Sequence, residues 1–180
     1  MTNNNKNIIV SGFGGQGVLF LGTVLCHAAM VENKNTTWIP SYGAEMRGGS
    51  ANCYVVISDD EIASPIFDNA DFGIFLSNQA MKKFENTVIK GGVIFADSSM
   101  IKPEEHRSDI SYFFKPLNDL IVKEGSKMLL NIVALGYFIK KTGILTKESV
   151  ISALKKVSSM KKPEFLDLNL KSFEYGFSLE

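Results

Sequence analysis

Six residues near the start of the chain, Gly12-Phe13-Gly14-Gly15-Gln16-Gly17, constrain its fold more than any other feature. Before them runs Asn7-Ile8-Ile9-Val10-Ser11, an apolar stretch of the kind that forms a buried strand. After them runs Val18 to Glu32, long and apolar enough for a helix packed on a sheet. In a strand, glycine turn, helix unit the backbone N–H groups and the helix N-terminus converge on one place, where a phosphate is held. A second glycine-rich segment, Ser41-Tyr42-Gly43-Ala44-Glu45-Met46-Arg47-Gly48-Gly49, follows soon after. Two such segments so close together predict one ligand or partner surface at one end of a sheet.

The rest of the pattern supplies that sheet and its cover. Residues 7–11, 36–40, 50–58, 71–77, 93–97 and 110–115 read as strands, the last at an edge. Residues 16–32 read as a helix, and residues 79–90 as another, closed by Gly91-Gly92. From Asn118 onward the pattern is helical. Residues 128–141 are apolar on most faces, with Ser126 as candidate N-cap and Gly143 as stop. Thr146-Lys147-Glu148-Ser149 reads as a helix start, and residues 165–176 as a last helix docking on the body. Strands alternating with helices early, then helices late, predict a single domain over residues 1–180: a three-layer α/β/α sandwich with a helical C-terminal part. The sheet is expected to be mixed, mostly parallel, because the loop between 36–40 and 50–58 is too short for a crossover helix.

Composition removes several functions. Lys+Arg and Asp+Glu are balanced at 19 each with no polybasic tract, which argues against nucleic acid and anionic membranes as partners. No apolar run approaches the ~20 residues of a membrane span, and Met1 to Lys6 lacks the apolar core of a signal peptide, so a cytoplasmic protein is expected. Cys26 and Cys53 are the only cysteines, too few for an iron–sulfur cluster, and read as two small buried thiols. No metal site is expected; Glu104-Glu105-His106 reads as a charged surface loop and His27 as a satisfied helix histidine. Asp97 ends a strand on the side of the glycine turn, where it lines a site or, as the safer reading, caps a loop. No residue is assigned as catalytic acid, base or nucleophile.

The glycine turn lacks the acidic residue that a nicotinamide site places at the end of the second strand: Glu32 comes too early and Glu45 lies beyond the turn. Arg47 is the one cation of the second segment; it pairs with a phosphate, with Glu45 or with another subunit. Tyr42 stacks on a base or packs at an interface.

Together, Gly12 to Val18 and Ser41 to Cys53, with Gly91-Gly92-Val93-Ile94-Phe95-Ala96-Asp97-Ser98 and Asn131-Ile132-Val133-Ala134-Leu135-Gly136, resemble the gamma subunit of the 2-oxoacid:ferredoxin (acceptor) oxidoreductases, with 2-oxoglutarate favoured. The resemblance covers about residues 7–170; one departure is Ala44, where the family often has proline. It implies an assembly that oxidatively decarboxylates a 2-oxoacid to an acyl-coenzyme A and passes electrons to ferredoxin. Thiamine diphosphate, magnesium and iron–sulfur clusters would sit in the alpha and beta partners, with or without a delta subunit, and this chain would be inactive alone. The gamma chain would line the coenzyme A side of the site. On that reading Gly12, Phe13, Gly14, Gly15 and Gln16 contact the pyrophosphate, and Ser41, Tyr42 and Arg47 line the rest. The alternatives are a purely structural assembly subunit and a free-standing nucleotide-binding protein.

Overall fold

β1 (Lys6–Phe13) runs into the glycine turn and α1 (Val18–Val31) leaves it. The computed structural model describes residues 5–42, 49–102, 107–125, 127–161 and 163–180, with Tyr42 and Lys161 by their backbone alone. β2 (Asn35–Tyr42), β3 (Ser50–Ser58), β4 (Ala70–Phe75), β5 (Val88–Asp97) and β6 (Ser111–Lys115) complete one sheet of order β2-β3-β1-β4-β5-β6. β3 is antiparallel to both β1 and β2, whereas the β1–β4, β4–β5 and β5–β6 pairs are parallel. Five strands therefore share one direction and β3 opposes them. The mixed sheet follows from the short β2–β3 connection, as the sequence implied.

Side-chain alternation along the strands divides the core. Ile8 and Val10 face one cluster and Ile9 the other. On the first face lie α1, α4 (Leu130–Thr142), α5 (Lys147–Lys161) and α6 (Leu166–Ser178); α3 (Leu117–Lys123) joins the same cluster through Leu117 and Ile121. On the second face α2 (Asn78–Phe84) packs Ala80, Met81 and Phe84 over Ile9, Phe75 and Ile94. The three layers are as expected, but unequal.

Residues 131–139 of α4 are all buried, which is why that helix is apolar on most faces. α6 crosses it with backbones in contact. A Cβ on Gly136 would lie 2.7 Å from the Phe177 nitrogen, and one on Gly176 would lie 2.8 Å from the Val133 carbonyl carbon.

Several boundaries differ from the sequence reading, each for a physical reason. The helix expected over 79–90 stops at Phe84; a 3₁₀ turn follows (Glu85–Thr87), and Val88 already opens β5. Gly91 and Gly92 are therefore inside a strand, not a helix stop. Gly91 takes a φ of 78° and donates its N–H to Asp109 O at 2.7 Å, while β4–β5 pairing jumps from Ala70↔Val88 to Phe72↔Val93. The pair makes a bulge, and a Cβ on Gly92 would lie 2.9 Å from Asp71 O. α4 starts at Leu130, not 128; Leu129 caps it by backbone, its N–H donated to Ser172 Oγ at 2.9 Å, and Ser126 lies outside the described residues. Gly143 does end that helix, with a φ of 59°. Asp97 caps a loop as expected, its Oδ1 accepting from Ser99 N at 3.1 Å.

Glu32, at the C-cap of α1, locks that helix to the start of α5. Its carboxylate accepts from Thr146 N (2.6 Å), Thr146 Oγ1 (2.9 Å) and Ser149 Oγ (2.7 Å). Burial alone would raise its pKa, but the hydrogen bonds from Ser149 and Thr146 outweigh it and hold the group below the usual carboxylate value. The native state thus binds fewer protons there than the unfolded chain, so this stabilisation is present above the ordinary Glu value and fades as the pH falls through the depressed one. Because the group is partly solvated, Glu32→Gln is expected to cost only about 0.5–1 kcal/mol at pH 7. The gap between variant and parent should close in acid; urea titrations at pH 7 and about pH 3 measure it.

Candidate functional site

The glycine turn is held by its own groups before any ligand is considered. Gln16 folds back so that its Oε1 accepts from Phe13 N at 2.6 Å, while its Nε2 donates to Leu76 O at 3.0 Å. A Cβ on Gly12 would lie 2.5 Å from that Oε1 and 3.2 Å from Leu76 Cβ, so a side chain there would displace the Gln16 amide from Phe13 N. Gly14 N donates to Gly49 O at 2.9 Å, which ties the turn to the end of the second glycine-rich segment. Gln16 N donates back to Phe13 O at 3.1 Å.

Gly17 is the N-cap of α1 in a left-handed conformation, φ 75°, with no side-chain cap. Its carbonyl accepts from Leu21 N and from Asn131 Nδ2, both at 3.0 Å. A Cβ there would lie 2.7 Å from Asn131 Cγ. Only glycine serves, because both the conformation and the space exclude a side chain. The first-turn N–H groups of Val18, Leu19 and Phe20 have no intrahelical acceptor. They supply a partial positive charge at the mouth of the turn. Gly15, φ 98°, has open space where a Cβ would be.

Two clefts flank the turn. The first, of about 510 Å³, runs from Phe13, Gly14 and Gly15 over Val18 and Leu19 to Gly49, Ser50 and Ala51. The second, of about 430 Å³, opens between the turn and helices α4, α5 and α6. Gly15, Gly17 and Phe20 line both.

The sequence-assigned residues separate on this map. Phe13, Gly14 and Gly15 line the first cleft, and Gly15 and Gln16 the second. Gly12 lies inside β1, paired with Ala51. Ser41 is exposed at the end of β2, paired with Asn52, and lines neither cleft. The Tyr42 backbone pairs with Ala51, and Arg47 lies outside the described residues. His27 lines neither cleft. Burial raises the Cys26 thiol to about 11 and the Cys53 thiol to about 12, so neither is a ready nucleophile. Among the described residues no group of three His, Cys, Asp or Glu side chains could hold a metal, and no helix is long and apolar enough to cross a membrane. Sequence reasoning missed Asn131, Ser158 and Asn169. The signal for Asn131 was its isolation, one amide in the buried run 131–139 of α4.

Residues 7–179 match the family model described as pyruvate ferredoxin/flavodoxin oxidoreductase. The chain belongs to that family. Within it, the chain is similar along nearly its whole length to 2-oxoglutarate synthase subunit KorC of Methanocaldococcus jannaschii, 33% identical over 97% of this chain and 93% of the relative. Ketoisovalerate oxidoreductase subunit VorA of Methanothermobacter thermautotrophicus is 35% identical over 93% of this chain; the chain spans only 35% of that relative's length. Among solved structures, the gamma subunit of a keto/oxoacid ferredoxin oxidoreductase from Geobacter sulfurreducens superposes with a TM-score of 0.78, at 30% identity over 96% of each chain. The fold also recurs, at a TM-score of 0.86 and 21% identity, in a 2-oxoglutarate:ferredoxin oxidoreductase from Magnetococcus marinus with 2-oxoglutarate, coenzyme A and succinyl-CoA bound; 98% of this chain covers 31% of that one. The chain is thus a family member of the gamma-subunit type.

Proposed function

We propose that this chain is the gamma subunit of a 2-oxoacid:ferredoxin oxidoreductase that makes an acyl-coenzyme A, with 2-oxoglutarate as the favoured 2-oxoacid, and that its glycine turn holds the phosphates of coenzyme A. The observation that carries the coenzyme A assignment is the uncapped N-terminus of α1, opening into a cleft beside Gly49. Backbone N–H groups and a helix dipole suit a pyrophosphate. Gly15 lets the ligand approach the backbone, and Arg47, two residues before Gly49, supplies a full positive charge. Gln16 and Asn131 fix the turn. Phe13 and Gly14 line that cleft beside Gly15, whereas Gly12 on β1 and Ser41 on β2 line neither cleft. Thiamine diphosphate, with its magnesium, supplies the decarboxylation chemistry and iron–sulfur clusters take the electrons; both belong to the alpha and beta partners, with or without delta, and ferredoxin receives the electrons. The preference for 2-oxoglutarate follows the KorC relative, which this chain matches end to end.

A second reading is a structural assembly subunit that touches no ligand. It is favoured by the internal use of the Phe13, Gly14 and Gln16 N–H groups. Purification of the native complex through a tag on this chain, followed by turnover assays, tests the main reading. The complex is expected to oxidise 2-oxoglutarate in the presence of coenzyme A and an electron acceptor, and the isolated chain to oxidise nothing. Turnover by the isolated chain, or recovery of the chain without thiamine-enzyme partners, would contradict it.

A further inference from the structure

Asn131, the second residue of α4, is exposed by only 7% and lines the second cleft but not the first. Its Nδ2 donates to Gly17 O at 3.0 Å, an oxygen that already accepts the first helical bond of α1, from Leu21 N. The start of α1 is therefore held by another helix. Gly17 has no side chain to fix its own peptide, and its left-handed φ of 75° is one of several conformations open to glycine. A Cβ at residue 17 would collide with the Asn131 amide, so the glycine and the asparagine share one space between them. The peptide from Gly17 to Val18 is planar and trans, so its C=O and N–H point in opposite directions. Fixing Gly17 O therefore fixes the direction of the Val18 N–H, which emerges at the helix start beside the first cleft. A second donor on that carbonyl also polarises the peptide and strengthens its N–H as a donor.

We propose that Asn131 is a positioning residue for anion binding: it holds the Gly17–Val18 peptide so that the Val18 N–H is aimed at a phosphate in the first cleft. The proposal rests on the coenzyme A reading above. Asn131 acts through Gly17 and not by contact, because it lines only the cleft on the other side of the turn. The arrangement also explains a lone amide in the buried run of α4: its one hydrogen bond among the described residues goes to the cap of α1.

The test uses the assembled enzyme, with coenzyme A as substrate and inorganic pyrophosphate, at fixed free magnesium, as an inhibitor competing with it. Asn131→Ala is expected to raise the KM for coenzyme A and the Ki for pyrophosphate together, each about 10-fold, the loss of one well-aimed hydrogen bond to an anion. The KM for the 2-oxoacid and kcat at saturation should be unchanged, because the contact is made equally before and during the chemistry. Asn131→Asp, close in size, carries the test if the alanine variant does not assemble. Its carboxylate meets Gly17 O without a donor, so both constants should rise at least as far. A KM that rises while the Ki stays put would overturn the proposal, because Asn131 would then touch another part of coenzyme A. A lower melting temperature with both constants unchanged would also overturn it, leaving Asn131 a link between two helices. If pyrophosphate does not compete with coenzyme A on the wild-type enzyme, the phosphate reading fails first and the proposal falls with it.

Discussion

Gly176→Val is expected to be the most destabilising single change described here. The new side chain would drive its Cβ into the Val133 backbone, 2.8 Å from the carbonyl carbon and 2.9 Å from Cα. Neither helix has room to yield: Gly136 meets the α6 backbone at the same crossing, and α4 is buried on the sheet. Overpacking against flexible side chains costs about 1–3 kcal/mol, and a clash with rigid backbone belongs at or above the top of that range. A loss of about 3–5 kcal/mol is a large share of the ~5–15 kcal/mol that holds a domain together. For a chain of this size it should lower Tm by roughly 6–20 °C. Gly125→Ala is the control: Gly125 has a φ of 58° but nothing within 4 Å of a Cβ, so only the backbone conformation is penalised, by about 1–2 kcal/mol. Thermal unfolding of the two variants side by side measures the difference. Equal melting points would mean that the α4–α6 crossing is looser than described.

The largest functional effect is expected from charge at the proposed phosphate site. Arg47→Ala removes a cation, and Gly15→Asp, read against Gly15→Ala, which carries the same φ penalty, adds an anion, so both should weaken coenzyme A use in the assembled complex. A charge-assisted hydrogen bond contributes about 1.5–3 kcal/mol, so the KM for coenzyme A should rise ~10- to 100-fold for each. On the proposed reading the decarboxylation step, assigned to other subunits, should be nearly unchanged. The effect of Gly15→Asp should shrink at high salt, because the site is open to solvent. Steady-state kinetics in both substrates, after confirming assembly, is the measurement. If Arg47→Ala leaves the coenzyme A dependence untouched in an intact complex, Arg47 belongs to an interface or an ion pair, and the structural-subunit reading moves ahead.

Much of this was legible in local sequence. Ser50–Ser58 was readable from its Val and Ile content, with Cys53, Val55 and Ile57 packed in the cluster that α1 shares, and the strand has those bounds. Gly143 was readable as a helix stop because its left-handed conformation is local chemistry. Gly91-Gly92 was not, because the same two residues serve a helix end or a bulge, and only the pairing with β4 and the Asp109 carbonyl decides. The site was legible as a turn but not as a set of roles. Gln16 looked like a ligand contact; its amide is committed to Phe13 and Leu76, sixty residues away in the second case. Ser41 seemed close because it begins the second glycine segment, yet sheet order puts β3 between its strand and β1. Asn169 and Ser158 were invisible, since their meeting depends on how α5 and α6 pack, which no local pattern encodes.

The central claim is that the N-terminus of α1 and its glycine turn form a coenzyme A phosphate site. Amide hydrogen exchange of the assembled enzyme, with and without coenzyme A, tests it most directly. The account predicts that coenzyme A slows exchange at the amides of Gly15, Gly17, Val18, Leu19 and Phe20, which have no intrahelical acceptor, and that Arg47→Ala reduces this protection at a fixed coenzyme A concentration. Unchanged exchange across residues 12–20 at saturating coenzyme A, with protection only in the partner subunits, would contradict it.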